Sequence, residues 1–497
     1  MLSGWGLLTI WRLTTYYGMR QTLWLALALV IFALGLRLPS DLYFLRRYKY
    51  LWLTGGLIIT ALTLLFGSNP MGYGPRLWLG CCGFYMQPSE PLKLLLIIFL
   101  AAYFANWQSV LIKSNKDQTA SEMTQGSSSS HNDTNDISGS LPPVSRLQIL
   151  IPTLLMTGIA MLLLIAQRDL GTASLFIFIY AVMVFLATSW RWIPAIAALV
   201  LAAAGTLGYL LFDVVRVRID AWVNPWLDPT GNSYQIVQSL MAVANGDVFG
   251  RGPGMGSPSL VPVAHSDFIF AAIAEENGLI GIVGLLVLLG LLVHRGLLIA
   301  IRTPNNFRQL LAAGLTVFLV GQSVLIIGGN LRLLPLTGVT LPFVSYGGSS
   351  LLISFLVGLL LLLISADATE RRPETVATSY QQSGVTHSVT PVLNFMLFAL
   401  LATALISGWW SYVRGPDLLS RTDNPRRALD DRYVYRGALL ARSDTVLAET
   451  TGIPGELTRS YRYPDLGPVT GYNHPVYGQS GLEASLDPTL RGLEGND

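Results

Sequence analysis

Ten apolar runs, each long enough to cross a bilayer as a helix, constrain this sequence more than any other feature. A helix needs about 20 residues to cross the hydrocarbon core, and somewhat fewer where the bilayer thins. Only 12% of the 497 residues are charged, whereas a soluble domain carries about a quarter. The sequence therefore predicts an all-α polytopic membrane protein, a helical bundle of about ten spans. The runs lie near residues 21–38, 50–66, 91–106, 147–166, 170–188, 192–212, 268–293, 310–328, 346–365 and 391–412.

Lys and Arg in the short loops predict the orientation of these spans. The segments 37–50 and 294–308 are basic, and both fall on one side if every run crosses once. Basic loops mark the cytoplasmic side. The same parity places four segments outside: 67–90, 213–267, 330–345 and the tail from Val413. A net charge of +3 is too small to indicate nucleic acid as a partner.

Composition divides the chain further. Residues 1–366 form the predicted membrane domain, with a Ser-rich, polar cytoplasmic loop at 107–146 that we expect to be disordered. A large outer loop covers 213–267. A cytoplasmic linker at 367–390 leads to an additional transmembrane anchor at 391–412, and 413–497 is predicted to be a small mixed α/β segment outside the membrane.

Three carboxylates stand at the head and in the middle of the seventh run, "HSDFIFAAIAEENGLIG", residues 265–281. Asp267 at its start could be an N-cap, since Asp accepts hydrogen bonds from free helical N–H groups. Glu275 and Glu276 lie roughly 12 to 14 Å further along and cannot cap. Carboxylates at membrane depth are costly unless paired or hydrated, so a functional site is the default hypothesis for them.

Other polar groups recur at the outer edges of the runs. Glu90 and Lys93 are three apart on one predicted helical face, which suits either a local ion pair or a site. Asp169 in "AQRDLGT" lies at a tight turn, where capping is the strongest competing interpretation. The two adjacent cysteines, Cys81 and Cys82, supply too few ligands for a structural zinc site, and no metal site is predicted.

The outer loop 213–267 adds a predicted amphipathic helix and a glycine-rich loop. The helix carries Tyr234, Gln235, Gln238 and Ser239, and the loop "GRGPGMG" carries Arg251. Such a loop could cradle phosphate oxygens with its N–H groups, although flexible loops have the same composition. "LTGVTLPFVSYGGSS" brings a proline and paired glycines into the ninth run, which favours a bent segment lining a cavity.

Six of these stretches together resemble the SEDS family, also called FtsW/RodA/SpoVE: "QPSEPLKL", "AQRDLGT", "YQIVQS", "GRGPGMG", "HSDFIFAAIAEENGLIG" and "TGVTLPFVSYGGSS", in the family's order over about residues 5–366. The resemblance implies a peptidoglycan glycosyltransferase of the bacterial cytoplasmic membrane. Its substrate is lipid II, the undecaprenyl-pyrophosphate-linked disaccharide pentapeptide. The aspartate of the family's His-Ser/Thr-Asp-Phe motif is catalytic, and here it is Asp267.

The chemistry that this resemblance implies suggests roles for further residues. Glycosyl transfer needs a base for the acceptor hydroxyl, for which Asp267 is the candidate, and cations for the departing pyrophosphate. The candidate cations are Arg251, Lys93 and Arg76. No cofactor is certain, and a divalent cation is possible. Other candidates for the substrate cavity are Glu90, Gln235, Gln238, Ser239, His265, Glu276 and Ser345.

The sequence departs from the family pattern in three places. "GWGLLTIWRLTTYYGMRQ" is similar to the end of the family's first span and its following loop, so we expect most of that span to be missing here. Arg168 stands where the family's Gln-Pro-Asp motif has proline. Arg251 stands where many relatives have lysine, and either cation can contact phosphate.

The tail resembles the membrane-proximal region of a class B penicillin-binding protein, with residues 441–444 in place of its usual Asp-Arg-Asn-Gly turn. Transpeptidase chemistry needs a Ser-x-x-Lys motif, and no lysine follows Lys116. We therefore expect no transpeptidase activity in this chain. The expected partners are lipid II, a class B penicillin-binding protein and other divisome or elongasome membrane proteins.

Two alternatives to the polymerase remain open. A flippase for lipid-linked precursors would also place charges in a hydrated intramembrane cavity. It would need access from both leaflets, whereas the motif residues gather on the outer side. A catalytically silent scaffold, whose tail docks other wall enzymes, would tolerate loss of Asp267.

Overall fold

The fold is known from a computed structural model. It describes residues 1–39, 42–69, 72, 76–81, 84–125, 146–370, 384–421, 423–426, 434–454, 456–474 and 477–492. Within these residues, nine helices are long and apolar enough to cross a membrane, and a shorter apolar helix covers Leu150–Ala166. Each of the ten predicted runs falls largely within a helix, which confirms the predicted helical, polytopic fold.

The membrane-domain helices follow the chain from α1 to α14: α1 Leu2–Leu13, α2 Thr15–Gly35, α3 Tyr43–Arg47, α4 Lys49–Phe66, α5 Ser89–Gln125, α6 Arg146–Ala166, α7 Leu170–Thr188, α8 Ile193–Leu211, α9 Asp213–Val223, α10 Tyr234–Gly246, α11 Ile269–Arg302, α12 Asn306–Asn330, α13 Gly348–Glu370 and α14 Gly384–Gly408. A short antiparallel hairpin, β1 Leu79–Cys81 with β2 Phe84–Met86, precedes α5.

The centre of the bundle is α12, which is buried along most of its length and packs against α5, α7, α11 and α14. Gly314 and Gly321 are seven residues apart and therefore lie on one face of α12. Because they have no side chains, residues of α7 can pack closely against this face. A β-carbon at Gly314 would lie 2.7 Å from the sulfur of Met183, and one at Gly321 would lie 2.6 Å from the ring of Phe178. In contrast, α8 exposes Leu199, as expected of a helix that faces lipid.

The seventh span, α11, is broken at Gly278. This residue has φ 63° and ψ −164°, a backbone conformation that is essentially restricted to glycine. Residues 279–302 alone exceed the length needed to cross the membrane. The backbone carbonyl of Asp267 accepts a hydrogen bond of 2.8 Å from Asn330, the outer end of α12. The segment Ile269–Asn277 therefore bends away from the axis of the span instead of extending it outward.

The glycine-rich loop after α10 closes this break with backbone hydrogen bonds. Below the break, the N–H groups of Leu279 and Ile280 donate to the carbonyls of Asp247 and Val248 at 2.9 and 3.1 Å. Above it, the N–H groups of Arg251 and Gly252 donate to the carbonyls of Glu275 and Glu276, both at 3.0 Å. A helix end in an apolar environment needs such partners, because water does not reach its free backbone groups.

The tail after α14 forms the predicted small mixed α/β segment. Its strands β3 Leu439–Leu440, β4 Val446–Thr451 and β5 Thr458–Tyr461 are antiparallel, and β6 Asn473–His474 pairs with β7 Gly478–Gln479. Short helices cover Gly467–Thr470, Gly481–Ser485 and Asp487–Leu490. Inside this segment the buried Arg436 pairs with Glu483 and Asp487 at 3.0 and 2.5 Å. Residues 441–444 form the turn between β3 and β4.

Several sequence-based boundaries were wrong. Helix α5 continues to Gln125, so the start of the loop predicted to be disordered at 107–146 is helical, and 126–145 lies outside the described residues. Helix α11 continues beyond the predicted end at 293 to Arg302. The loop expected after the N-terminal helix is a single residue, Thr14, between α1 and α2. Residues 371–383 of the linker also lie outside the described chain.

The outer helix α10 has the predicted amphipathic pattern, but its polar side chains Gln238, Ser239 and Asn245 are buried rather than exposed. Every residue from Ile236 to Gly246 is buried, and only its first turn reaches the surface. The short helix α15, Gly415–Ser420, lies against it, with Leu418 packed on Leu240 and Ala244. The start of the tail therefore covers one face of α10.

We expect Gly278→Ala to lower the melting temperature of the protein in detergent. The added β-carbon would lie 2.2 Å from the backbone nitrogen of Gly250, and the backbone conformation is strained for alanine, so the expected cost is at least about 2 kcal/mol. Gly284→Ala is the control, because a β-carbon there meets open space in the same helix. Equal melting temperatures for both variants would contradict the role given to the break.

Candidate functional site

Asp267 does not cap the helix that follows it. The N-cap of α11 is Phe268, and no side chain donates or accepts a capping hydrogen bond there. The carboxylate of Asp267 accepts one hydrogen bond, at Oδ1 from the hydroxyl of Ser266 at 3.1 Å. Among the described residues, Oδ2 accepts none. The capping alternative is therefore wrong for Asp267, and one carboxylate oxygen is available to a ligand.

Arg218 on α9 faces the same small space as this oxygen, and sequence analysis did not single it out. A β-carbon at Gly338 would lie 3.6 Å from Nη2 of Arg218 and 3.7 Å from Oδ2 of Asp267. Arg218 is held in place by the carbonyl of Thr337, which accepts a hydrogen bond of 3.3 Å from Nη1. The left-handed Gly338, φ 72°, thus keeps side-chain atoms out of the space between a cation and a carboxylate.

Opposing effects set the pKa of Asp267. Burial is the largest effect and holds the pKa of its carboxyl group above the ordinary value, although the hydrogen bond from Ser266 and the charge of Arg218 lower it in part. Burial lowers the pKa of the Arg218 guanidinium, and both Asp267 and Asp169 raise it. Arg218 is therefore the cation shared by these two carboxylates, and it favours the ionised form of Asp267.

Asp169 is an N-cap, as the competing interpretation of its turn proposed. Its side chain accepts a hydrogen bond of 3.2 Å from the N–H of Thr172 at the start of α7, and Ser89 and Gln87 also donate to it at 3.2 and 3.4 Å. The preceding Arg168 has φ 61°, which proline cannot adopt. The departure from the family's proline therefore gives this turn a different backbone.

His265 and Ser345 hold the segment around Asp267 against the loop 331–347. The hydroxyl of Ser345 donates to the carbonyl of Ser266 at 2.6 Å and accepts from the N–H of Leu341 at 2.8 Å. The ring of His265 stacks on Tyr17 at 4.1 Å, and burial lowers its pKa. Its buried Nε2 has no hydrogen-bond partner in the described chain. Both predicted residues therefore lie beside the catalytic candidate.

Lys93 and Glu90 form the ion pair that their spacing allowed. Lys93 is 0% exposed, and its ammonium donates to Glu90 at 2.7 Å and to Gln322 at 3.0 Å. Gln322 in turn donates to the carbonyl of Thr340 at 2.7 Å. These contacts link α5 and α12 to the loop that contains Gly338. A direct pyrophosphate contact by Lys93 stays a prediction, and it would compete with Glu90.

The two adjacent glutamates at the break have separate arginine partners. Glu276 forms a two-point ion pair with Arg12 of α1. Glu275 is 0% exposed and accepts two hydrogen bonds of 2.9 Å from Arg426, a residue of the tail. Both carboxylates are thus neutralised within the protein, as a carboxylate away from water requires.

Arg251 lies close to these glutamates rather than to Asp267. Its Nε donates to the carbonyl of Asn245 at 2.9 Å, and its Nη2 donates to the side-chain oxygen of the same residue at 2.6 Å. The N–H groups of Arg251 and Gly252 are used at the helix break, and that of Gly250 donates to the carbonyl of Gly246 at the end of α10 at 2.7 Å. These three N–H groups are therefore not available to a phosphate, and phosphate binding by the rest of the loop stays a prediction.

Two of the remaining candidates form hydrogen bonds inside the protein, and two others are exposed. Gln238 accepts from Arg426 at 2.8 Å, and Ser239 donates to the carbonyl of Asn330 at 3.0 Å. Both are buried and hold protein segments together. Gln235 and Arg76 are exposed, and in the described residues they contact no other candidate. Their roles in substrate binding stay predictions.

The candidates therefore form three groups. Asp267, His265 and Ser345 lie together, with Arg218 added by the structure. Arg251, Glu276 and Gln238 lie around the break, where Glu275 and Asn245 join them. Lys93 and Glu90 form the third group inside the bundle. Among the described residues, no group of three or more His, Cys, Asp or Glu side chains could hold a metal ion.

This architecture defines a class: a polytopic helical membrane protein with a carboxylate and an arginine facing each other at one end of the bundle. The sequence profile of the FtsW/RodA/SpoVE family, described as a cell cycle protein, matches residues 9–370. The chain belongs to that family.

Curated relatives include proteins with each of the family's three names. The peptidoglycan glycosyltransferase RodA of Mycobacterium tuberculosis is 37% identical over 357 residues, 71% of each chain. The probable peptidoglycan glycosyltransferase FtsW of Escherichia coli O157:H7 is 32% identical over 355 residues, 70% of this chain and 77% of the relative. Stage V sporulation protein E of Bacillus subtilis is 31% identical, over 70% of this chain and 86% of the relative.

Solved structures share the fold. A chain from a peptidoglycan synthase complex, described as coordinating polymerization and crosslinking, aligns with a TM-score of 0.57 and 27% identity, over 74% of this chain and 95% of that one. The rod shape determining protein RodA of Thermus thermophilus aligns with a TM-score of 0.51 and 25% identity, over 74% and 93%. None of these matches covers the whole of this chain.

Proposed function

We propose that this protein polymerises lipid II into glycan strands of peptidoglycan at the outer face of the bacterial cytoplasmic membrane, in cell elongation or division. Membership of the FtsW/RodA/SpoVE family and the names of its RodA and FtsW relatives support this activity. The single observation that carries the chemistry is the carboxylate of Asp267. It is not used as a cap, and its Oδ2 and Nη2 of Arg218 border the same small space beside Gly338.

In the proposed mechanism Asp267 takes the proton from the acceptor sugar hydroxyl as that oxygen attacks the donor sugar. The bond from the donor sugar to the pyrophosphate breaks, and the pyrophosphate leaves with the lipid. Arg218 lowers the pKa of Asp267 against the larger effect of burial and is proposed to stabilise developing negative charge. Arg251, Lys93 and Arg76 stay candidate pyrophosphate contacts, and a divalent cation also stays a prediction.

The cross-linking partner is the second part of this proposal. We propose that a class B penicillin-binding protein works with this chain, because a solved neighbour of the membrane domain belongs to a complex described as coordinating polymerization and crosslinking. We propose that the tail, residues 413–497, is a fragment similar to the stalk of a class B penicillin-binding protein.

The first prediction concerns Asp267→Asn. Asparagine has nearly the same shape but cannot take up the proton, so the rate of glycan formation from lipid II should fall on the order of a hundredfold or more. Asp213→Asn is the control, because Asp213 lies exposed at the start of α9. Near-normal polymerisation by a folded Asp267→Asn protein would show that Asp267 is not the catalytic base. The flippase and scaffold alternatives would then be favoured.

A second prediction concerns the pH dependence of the reaction. Arg218→Gln removes the charge that lowers the pKa of Asp267, so that pKa rises further. The acidic limb of kcat/KM should then move to higher pH. Arg216→Gln, on the same helix but in an exposed pair with Asp213, should leave the limb in place. An unchanged acidic limb in Arg218→Gln would show that Arg218 does not influence the pKa of the catalytic base.

The third prediction concerns topology. We propose that the tail lies outside the cell, supported by its Arg426, which reaches the outer glycine-rich loop through Glu275. A reporter fused after Arg421 should therefore read as external. One inserted in 127–130 should read as cytoplasmic by the parity of the spans. An internal signal after Arg421 would overturn both the parity and the placement of the tail.

A further inference from the structure

A chain of buried hydrogen bonds runs from the tail to the glycine-rich loop. Arg426, which is 3% exposed, donates from Nε and Nη2 to Glu275 at 2.9 Å and from Nη1 to Gln238 at 2.8 Å. It lies after α15, in the part of the tail that packs on α10. One tail residue thus reaches two elements of the membrane domain.

Glu275 connects Arg426 to the glycine-rich loop. Besides Arg426, its Oε1 accepts from the side chain of Asn245 at 2.8 Å and from the N–H of Ser257 at 3.0 Å. The amide of Asn245 therefore has its nitrogen toward Glu275 and its oxygen toward Arg251, which donates to that oxygen at 2.6 Å. The orientation of the Asn245 amide couples the charge of Glu275 to the position of the Arg251 guanidinium.

The contacts also restrain the ends of the loop. Asn245 lies at the end of α10 and Ser257 lies beyond the last glycine, so Glu275 ties together both ends of the segment 246–256. Glycines within it have φ near 80 to 90°, as at Gly250, Gly252 and Gly254. Such residues lose more conformational freedom on ordering than others do. The contacts at its two ends therefore add to the backbone hydrogen bonds that hold the loop in one conformation.

We propose that Arg426 is a positioning residue, through which the tail of this chain orders the glycine-rich loop and aims Arg251 at the pyrophosphate of the lipid-linked substrate. The residue acts through Glu275 and Asn245 and does not itself touch the substrate. This inference rests on the proposed polymerase function for its kinetic consequence. Its structural consequence, the order of the loop, can be measured without any activity.

Arg426→Gln in the full chain is the first test. The KM for lipid II should rise about tenfold, because a misplaced Arg251 loses a charge-assisted hydrogen bond, while kcat changes little. Arg251→Gln should raise KM similarly, and the double variant should add nothing more, since both changes remove one coupled interaction. Arg414→Gln is the matched control, because Arg414 is a tail arginine in an exposed pair with Asp417.

Hydrogen exchange supplies the readout that does not depend on activity. The amides of Arg251, Gly252 and Ser257 should exchange faster in Arg426→Gln than in the wild-type chain and in Arg414→Gln. Arg426→Gln leaves Glu275 buried without its cation and could destabilise the fold. Glu275→Gln with Arg426→Gln removes both charges, so it preserves the fold while still lacking the ionic restraint on the loop.

The outcomes separate the two proposals. Faster exchange of the loop with a higher KM supports the positioning role. Wild-type exchange and KM in a folded Glu275→Gln, Arg426→Gln protein would overturn it, as would fully additive effects of Arg426→Gln and Arg251→Gln. If the wild-type chain makes no glycan, the polymerase proposal fails, and the exchange measurement still decides whether Arg426 orders the loop.

Discussion

The backbone pairing at the break in α11 is the interaction on which the outer half of the molecule depends. Gly278 interrupts a helix where water cannot satisfy the free N–H and carbonyl groups. The segment 247–252 supplies donors to the upper piece and acceptors to the lower piece. The glycine-rich loop is thereby part of the span, and its position follows from the break.

Two polar regions result from this arrangement. Above the break, Ile269–Asn277 bends so that Asp267 meets the end of α12, the loop 331–347 and Arg218 of α9. At the break, Glu275 and Glu276 meet arginines from the tail and from α1. The three carboxylates of one sequence motif therefore serve different purposes: Oδ2 of Asp267 accepts no hydrogen bond from the described residues, whereas both glutamates are bound by arginines within the protein.

The sequence predicted the helices well and their partners poorly, and the reasons are physical. Ten long apolar runs define spans, because length and composition decide whether a helix can cross a bilayer. The break could not be predicted, because a glycine inside an apolar run is compatible with a straight span. Arg218 was missed because "VVRVRID" carries no motif, and only the fold brings it to Gly338. The motif predicted Asp267 at the start of a span, and the structure has it directly before α11; its catalytic role stays a prediction.

The buried pair of Glu275 and Arg426 has a consequence for the order in which this protein is made. Glu276 has its partner in Arg12, which is synthesised before α11. The partner of Glu275 lies 151 positions later, beyond four further helices, α12, α13, α14 and the short α15. Synthesis runs from the N-terminus, so a nascent chain passes through a stage in which the membrane domain is inserted and this carboxylate has no arginine. Assembly of the outer loop is complete only when the translated tail has arrived.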